Sequence, residues 1–189
     1  ANDDVIFFPD SILPAILHLE TNAKCGAVCF ADNRPLPGTY TDKEWKVLTF
    51  PQKIRGKFEY APYAQVGLFR RWLANKCGWW GGEQKEMLKP GYVYAGDNML
   101  STYIWSYGYT VEAVEGCKVQ DNIIYDELRK HNYELGKQIE NADSNAYYAR
   151  WPEGAVVPDS PTLVQEDTQG ARWLYLPIYE PGWAIQHDP

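Results

Sequence analysis

The feature that most constrains this chain is an apolar periodicity that keeps switching between the helical and the strand kind without regular alternation. Residues 63–77 place Val66, Phe69, Leu73 and Cys77 on one face of a helix, with Gly78 as its stop. Residues 122–139 repeat the pattern with Ile124, Leu128, His131, Leu135 and Ile139, with Asp121 as N-cap. A shorter helix is expected over residues 12–22, with Pro14 tolerated in its first turn. Between these lie runs rich in β-branched and aromatic residues at 27–31, 45–50, 92–95, 100–107 and 109–114. Gly108 separates the last two and predicts a hairpin or a bent strand. A final strand at 172–179 contains Pro177, which suits an edge or a bulge. Residues 149–170 carry three prolines and two glycines and read as a long surface loop. Such a mixture predicts an α+β fold: a mainly antiparallel sheet packed with two or three helices and long surface loops.

A chain of 189 residues with 45% apolar residues builds one core, so a single domain over 1–189 is expected. No apolar run is long enough to span a bilayer. The first residues, Ala1-Asn2-Asp3-Asp4, resemble what signal-peptidase cleavage leaves behind. Cys25, Cys29, Cys77 and Cys117 are an even set, which in a secreted chain predicts at least one disulfide involving Cys25 or Cys29. Cys25 and Cys29 are also spaced as C-x₃-C, but no second close Cys or His pair follows, so no metal site and no cofactor is expected. The expected location is secreted, extracellular or periplasmic. None of the nine asparagines begins an Asn-x-Ser/Thr sequon, which favours a bacterial or viral protein.

Charge is split along the chain. Residues 43–89 hold ten basic and four acidic residues, a net of +6, whereas residues 96–189 hold six basic and fifteen acidic, a net of −9. The basic stretch has rings threaded through it at Trp45-Lys46, Lys57-Phe58 and Phe69-Arg70-Arg71-Trp72. That pattern suits anionic or single-stranded nucleic-acid ligands, yet the total charge of −7 argues against nucleic acid as a partner.

Eight tryptophans and fourteen tyrosines exceed what one core needs, and Cys77-Gly78-Trp79-Trp80-Gly81-Gly82 sets two of the indoles on a glycine-rich segment. Adjacent side chains of an extended segment face opposite ways, so Trp80 is expected to face outward as a contact ring while Trp79 anchors inward. Trp79, Trp80, Arg70 and Arg71 are therefore the candidate binding residues. The expected function is recognition of a carbohydrate or a protein partner by a secreted or surface-exposed protein, as a bacterial or viral effector or structural component. The alternative is a secreted enzyme.

For catalysis, the histidines are His18, His131 and His187, and no nucleophile motif surrounds any serine or cysteine. His131 falls on an apolar helix face and is expected to be structural. Glu112, Glu115, Asp126, Glu127, Glu166 and Asp167 supply carboxylates for an acid–base pair of the glycosidase kind. Arg70, then Ser101-Thr102, then Glu166 also follow the order that resembles secreted mono-ADP-ribosyltransferase toxins. The resemblance is confined to these residues. It implies a Ser-Thr pair on a strand and a transferase-type toxin activity.

Overall fold

The structure is a computed structural model that describes residues 5–32, 45–54, 56–78, 96–121 and 133–165. Its centre is β2 (Cys25–Asp32), a strand buried along nearly its whole length. A strand covered on both faces needs apolar residues at successive positions, and Cys25-Gly26-Ala27-Val28-Cys29-Phe30 supplies them. β2 lies between β6 (Thr110–Asp121) and β5 (Gly67–Phe69), and β1 (Val5–Phe7) completes the order β1-β6-β2-β5. A second, two-stranded sheet pairs β3 (Thr49–Ile54) with β4 (Lys57–Pro62).

The fold is α+β, with one correction to the expected strand directions. β1·β6, β2·β5 and β3·β4 are antiparallel, but the central pair β2·β6 is parallel. A parallel pair cannot be closed by a tight turn. Here the chain between the two strands carries α2 (Arg71–Cys77) and α3 (Gly96–Ser106), which pack on one face of the sheet. Leu73, Cys77, Leu100, Tyr103 and Ile104 meet Ala27, Cys29 and Val111 there, and Tyr147 of α4 (Tyr133–Arg150) joins them. On the other face Ala15 and Leu19 of α1 (Ile12–Thr21) pack on Cys25, Val28, Phe30, Cys117 and Val119.

Gly26 is what lets α2 and α3 come this close. A Cβ there would stand 2.7 Å from both Ile104 Cγ2 and Leu73 Cδ2, and 3.0 Å from Tyr109 Cβ. The same residue sits at a register shift between Cys25 and Ala27 in the β2·β6 ladder. A bulge there lets Cys25 and Ala27 serve opposite faces of the sheet.

Several local expectations yield to tertiary pairing. Residues 67–69 are a strand rather than part of a helix, because Gly67, Leu68 and Phe69 pair with Cys29, Val28 and Ala27. Only Arg71–Cys77 is helical, and Gly78 ends it in the left-handed conformation at φ 76°. Residues 100–107 are not a strand. Residues 100–106 lie in α3, where Leu100, Tyr103 and Ile104 share one buried face at i, i+3 and i+4, and Tyr107 is in the turn after it. Gly108 is accordingly a helix stop and not a hairpin turn, with φ 82° and its N–H on the Trp105 carbonyl at 2.9 Å. In the segment at 45–50 the strand begins only at Thr49, although Lys46 forms a single bridge to Asp32. The late helix runs on to Arg150, well past Ile139, and residues 151–165 carry no further helix or named strand. The expected strands at 92–95 and 172–179 lie outside the described residues, as do residues 122–132, the expected start of the late helix. Among the described residues no helix is long and apolar enough to cross a membrane.

Candidate functional site

The last turn of α1, the first residue of β2 and the start of β6 converge at one end of the central pair. The parallel register sets Cys25 beside Thr110 and Val28 beside Glu112. Thr110 and Glu112 alternate along β6, so both side chains leave the same side of the strand. His18 and Asn22, one helical turn apart, present from α1.

Glu112 is the hub. Its Oε2 lies 2.7 Å from His18 Nε2. Asn22 Nδ2 donates to its Oε1 at 3.2 Å and its Oε2 at 3.3 Å, and Thr110 Oγ1 donates closely to Oε1. Burial alone would raise this carboxyl. The hydrogen bonds from Thr110, His18 and Asn22, together with the attraction of His18, outweigh it and hold the group below the usual carboxylate range. The Cys25 thiol lies in the same cluster, with its sulfur and the His18 and Glu112 donor atoms all within 4.8 Å of one another. Burial first, and the Glu112 charge second, push that thiol up to about 11. It donates to the Ala27 carbonyl at 3.2 Å.

Cysteine beside histidine and a carboxylate invites comparison with a nucleophilic triad. Such a nucleophile must be ionised and reachable. Cys25 is fully buried and holds its proton at neutral pH, so it does not meet either requirement.

Arg70 has a structural task beside this cluster. Its Nε donates to the Cys25 carbonyl at 2.7 Å, and its Nη2 to the Asn22 carbonyl at 3.0 Å and closely to the Leu19 carbonyl. The carbonyls at a helix end have no partner within the helix, and here one guanidinium satisfies two of them at the end of α1. Arg71, the next residue, is exposed at the start of α2.

The Ser-Thr pair that the transferase-like order implies on a strand lies on a helix, α3, instead. Ser101 and Thr102 are buried on a helix, where Ser101 Oγ accepts the Ala64 N–H at 3.2 Å and Thr102 Oγ1 meets the Tyr147 hydroxyl at 2.7 Å. Among the six candidate carboxylates, Glu112 is in the cluster and Glu115 is exposed. Asp126, Glu127, Glu166 and Asp167 lie outside the described residues, together with Trp79, Trp80 and His131. No sulfur is bonded to another in this structure. Cys25, Cys29, Cys77 and Cys117 are all buried and none is in a disulfide, so the expected disulfide is not seen in it. Cys25 and Cys117 pack on one face of the sheet, whereas Cys29 and Cys77 pack on the other. Sequence reasoning passed over His18. The pairs His18/Asn22 and Thr110/Glu112 were readable as shared faces, but their meeting depends on the long-range β2·β6 pairing.

A second feature lies on the outer side of α1. Ala15 and Leu19 face the sheet, while Ile12, Leu13, Ile16 and Leu17 are 40%, 60%, 37% and 55% exposed. On a helix of 100° per residue these four span an arc of about 140° that starts beside the buried stripe, at Ile12 and Ile16, and reaches the outer side at Leu13 and Leu17. The arc borders a groove of about 470 Å³ between α1 and the β5–α2 corner, lined by Ile16, Leu19, Leu68, Phe69, Arg71 and Trp72 among others. The Trp72 indole N–H is buried without a hydrogen-bond partner among the described residues. Compared with known proteins, the chain matches no family model, no curated protein and no solved structure.

Proposed function

We propose that this is a recognition protein that holds an apolar, acid-bearing segment of a partner protein on the outer face of α1 and in the groove beside it. The single observation that carries this reading is the exposed arc Ile12, Leu13, Ile16 and Leu17. A surface helix ordinarily turns polar residues to water. Four adjacent aliphatic side chains on the outer face gain free energy only when something covers them. The groove adds shape next to that arc, and the Trp72 side chain forms part of its wall. Arg70 and Arg71 outnumber Glu20 in the groove lining, a net positive charge that favours an acidic group on the bound segment.

The test is selection of a displayed peptide library on the purified protein, repeated with the Leu13→Asp/Leu17→Asp double variant. Enriched peptides should combine spaced apolar residues with an acidic one, and the double variant should lose them while melting as the parent does. A large fall in melting temperature in the variant would instead make the face an internal contact. Self-association reversed by the two substitutions would make a second copy the occupant. Glycan binding that ignores both substitutions would place recognition elsewhere.

A further inference from the structure

We infer that His18, Cys25 and Glu112 form a binding site for one divalent transition-metal ion of the zinc type. The three side chains come from three elements and offer imidazole nitrogen, thiolate sulfur and carboxylate oxygen within 4.8 Å of one another. That mixture suits a borderline-soft cation and not calcium or magnesium, which take oxygen donors. Zinc bonds of about 2.3 Å to sulfur and about 2.0 Å to nitrogen or oxygen put tetrahedral donors about 3.3–3.5 Å apart. Reaching that geometry requires the His18–Glu112 contact to open from 2.7 Å, and the partly exposed His18 ring is the side chain able to turn. Three protein donors leave a fourth position for water, on the side where His18 and Glu112 meet solvent.

The surroundings fit a ligand set better than a plain salt bridge. Thr110 and Asn22 both donate to Glu112 and fix its carboxylate, the kind of outer contact that orients metal ligands. On binding, the sulfur–hydrogen bond breaks and its proton passes to solvent, the His18 ring proton moves by way of solvent from Nε2 to Nδ1, and the freed sulfur and nitrogen pairs form the metal bonds. Bound thiolate, carboxylate and divalent ion sum to zero formal charge, which suits a partly buried site.

The test is titration of Co²⁺ into the reduced full chain after the reductant is removed. Expected are saturation at one equivalent, a sulfur-to-cobalt charge-transfer band, the intense visible bands of a four-coordinate site, and release of about one proton per ion near neutral pH. Zn²⁺ should displace the cobalt. Cys25→Ser should lose the charge-transfer band, and Thr110→Val should weaken binding by about 10–100-fold while keeping it. Should Cys25→Ser fail to fold, His18→Ala, altered at a partly exposed ring, must still weaken binding beyond the Thr110→Val effect. No charge-transfer band in the parent, a band that persists in Cys25→Ser, or parental affinity in His18→Ala would each overturn the assignment. The last two would move the site to other cysteines or histidines. None of these outcomes depends on the outer face of α1.

Discussion

Arg70 Nε donates to the carbonyl of Cys25 at 2.7 Å, so one guanidinium ties the start of β2 to the end of α1. The bonds go to backbone, which no change of neighbouring side chains can replace. Arg70→Ala should therefore destabilise the protein by about 2–3 kcal/mol in urea unfolding, the scale for charged donors leaving buried carbonyls unpaired. Arg71→Ala, at an exposed position, should stay within about 0.5 kcal/mol of the parent. Equal effects of the two would show that Arg70 does not hold these elements together.

The native thiols should be inert. All four cysteines are buried, and burial pushes the Cys25 thiol up to about 11 and Cys29 to about 12. An aromatic disulfide reagent at pH 8 should find almost no reactive sulfur in the folded protein. Four should appear after unfolding without reductant, given that none of the four is in a disulfide. A lower count after unfolding would reveal the disulfide that cysteine parity predicts.

Glu112 makes stability depend on acid. Its folded-state affinity for protons is below the unfolded value, so its contribution is present above the ordinary carboxylate range. The contribution is lost as pH falls from that range through the lower folded value. Unfolding free energies of the parent and of Glu112→Gln should therefore differ most near neutrality and converge in acid. A difference that stays constant down the pH scale would contradict the hydrogen-bonded carboxylate.

Gly26→Ala should cost about 1–3 kcal/mol through overpacking. The new methyl would press on Ile104 Cγ2, attached directly to a branched Cβ, and on Tyr109 Cβ, neither of which swings away easily. Melting curves would read the loss. Ile104→Val, removing one methylene beside Gly26, should not rescue it because Cγ2 remains. A neutral Gly26→Ala would mean that α3 is not seated on β2 as described.

Features carried by short-range pattern were readable. α1 begins where expected and ends at Thr21, and β2 contains the whole apolar run at 27–31. Residues 100–107 misled because Thr102, Tyr103, Ile104 and Trp105 have strand-like intrinsic preferences. In the fold, full burial against β2 and β6 outweighs those preferences and makes the segment helical. Residues 63–69 misled for the opposite reason, since their helical spacing coexists with backbone pairing to β2. The His18–Glu112 cluster was legible only in halves. Each half sits on its own element, and the join is a parallel pairing that no local pattern announces.

That parallel join also sets an order of events during synthesis. Cys29 precedes Glu112, whose carbonyl accepts its thiol, by 83 residues. At about 5–20 residues per second, β2 leaves the ribosome roughly 4–17 s before its central neighbour exists. During that interval one of the most apolar strands of the protein has an unoccupied edge, able to pair with the wrong chain. α1 and β5 emerge earlier than β6 and can shield one face and the other edge. The nascent chain is thus most exposed to aggregation between the appearance of β2 and that of β6, and slowing translation across α3 would lengthen the hazard.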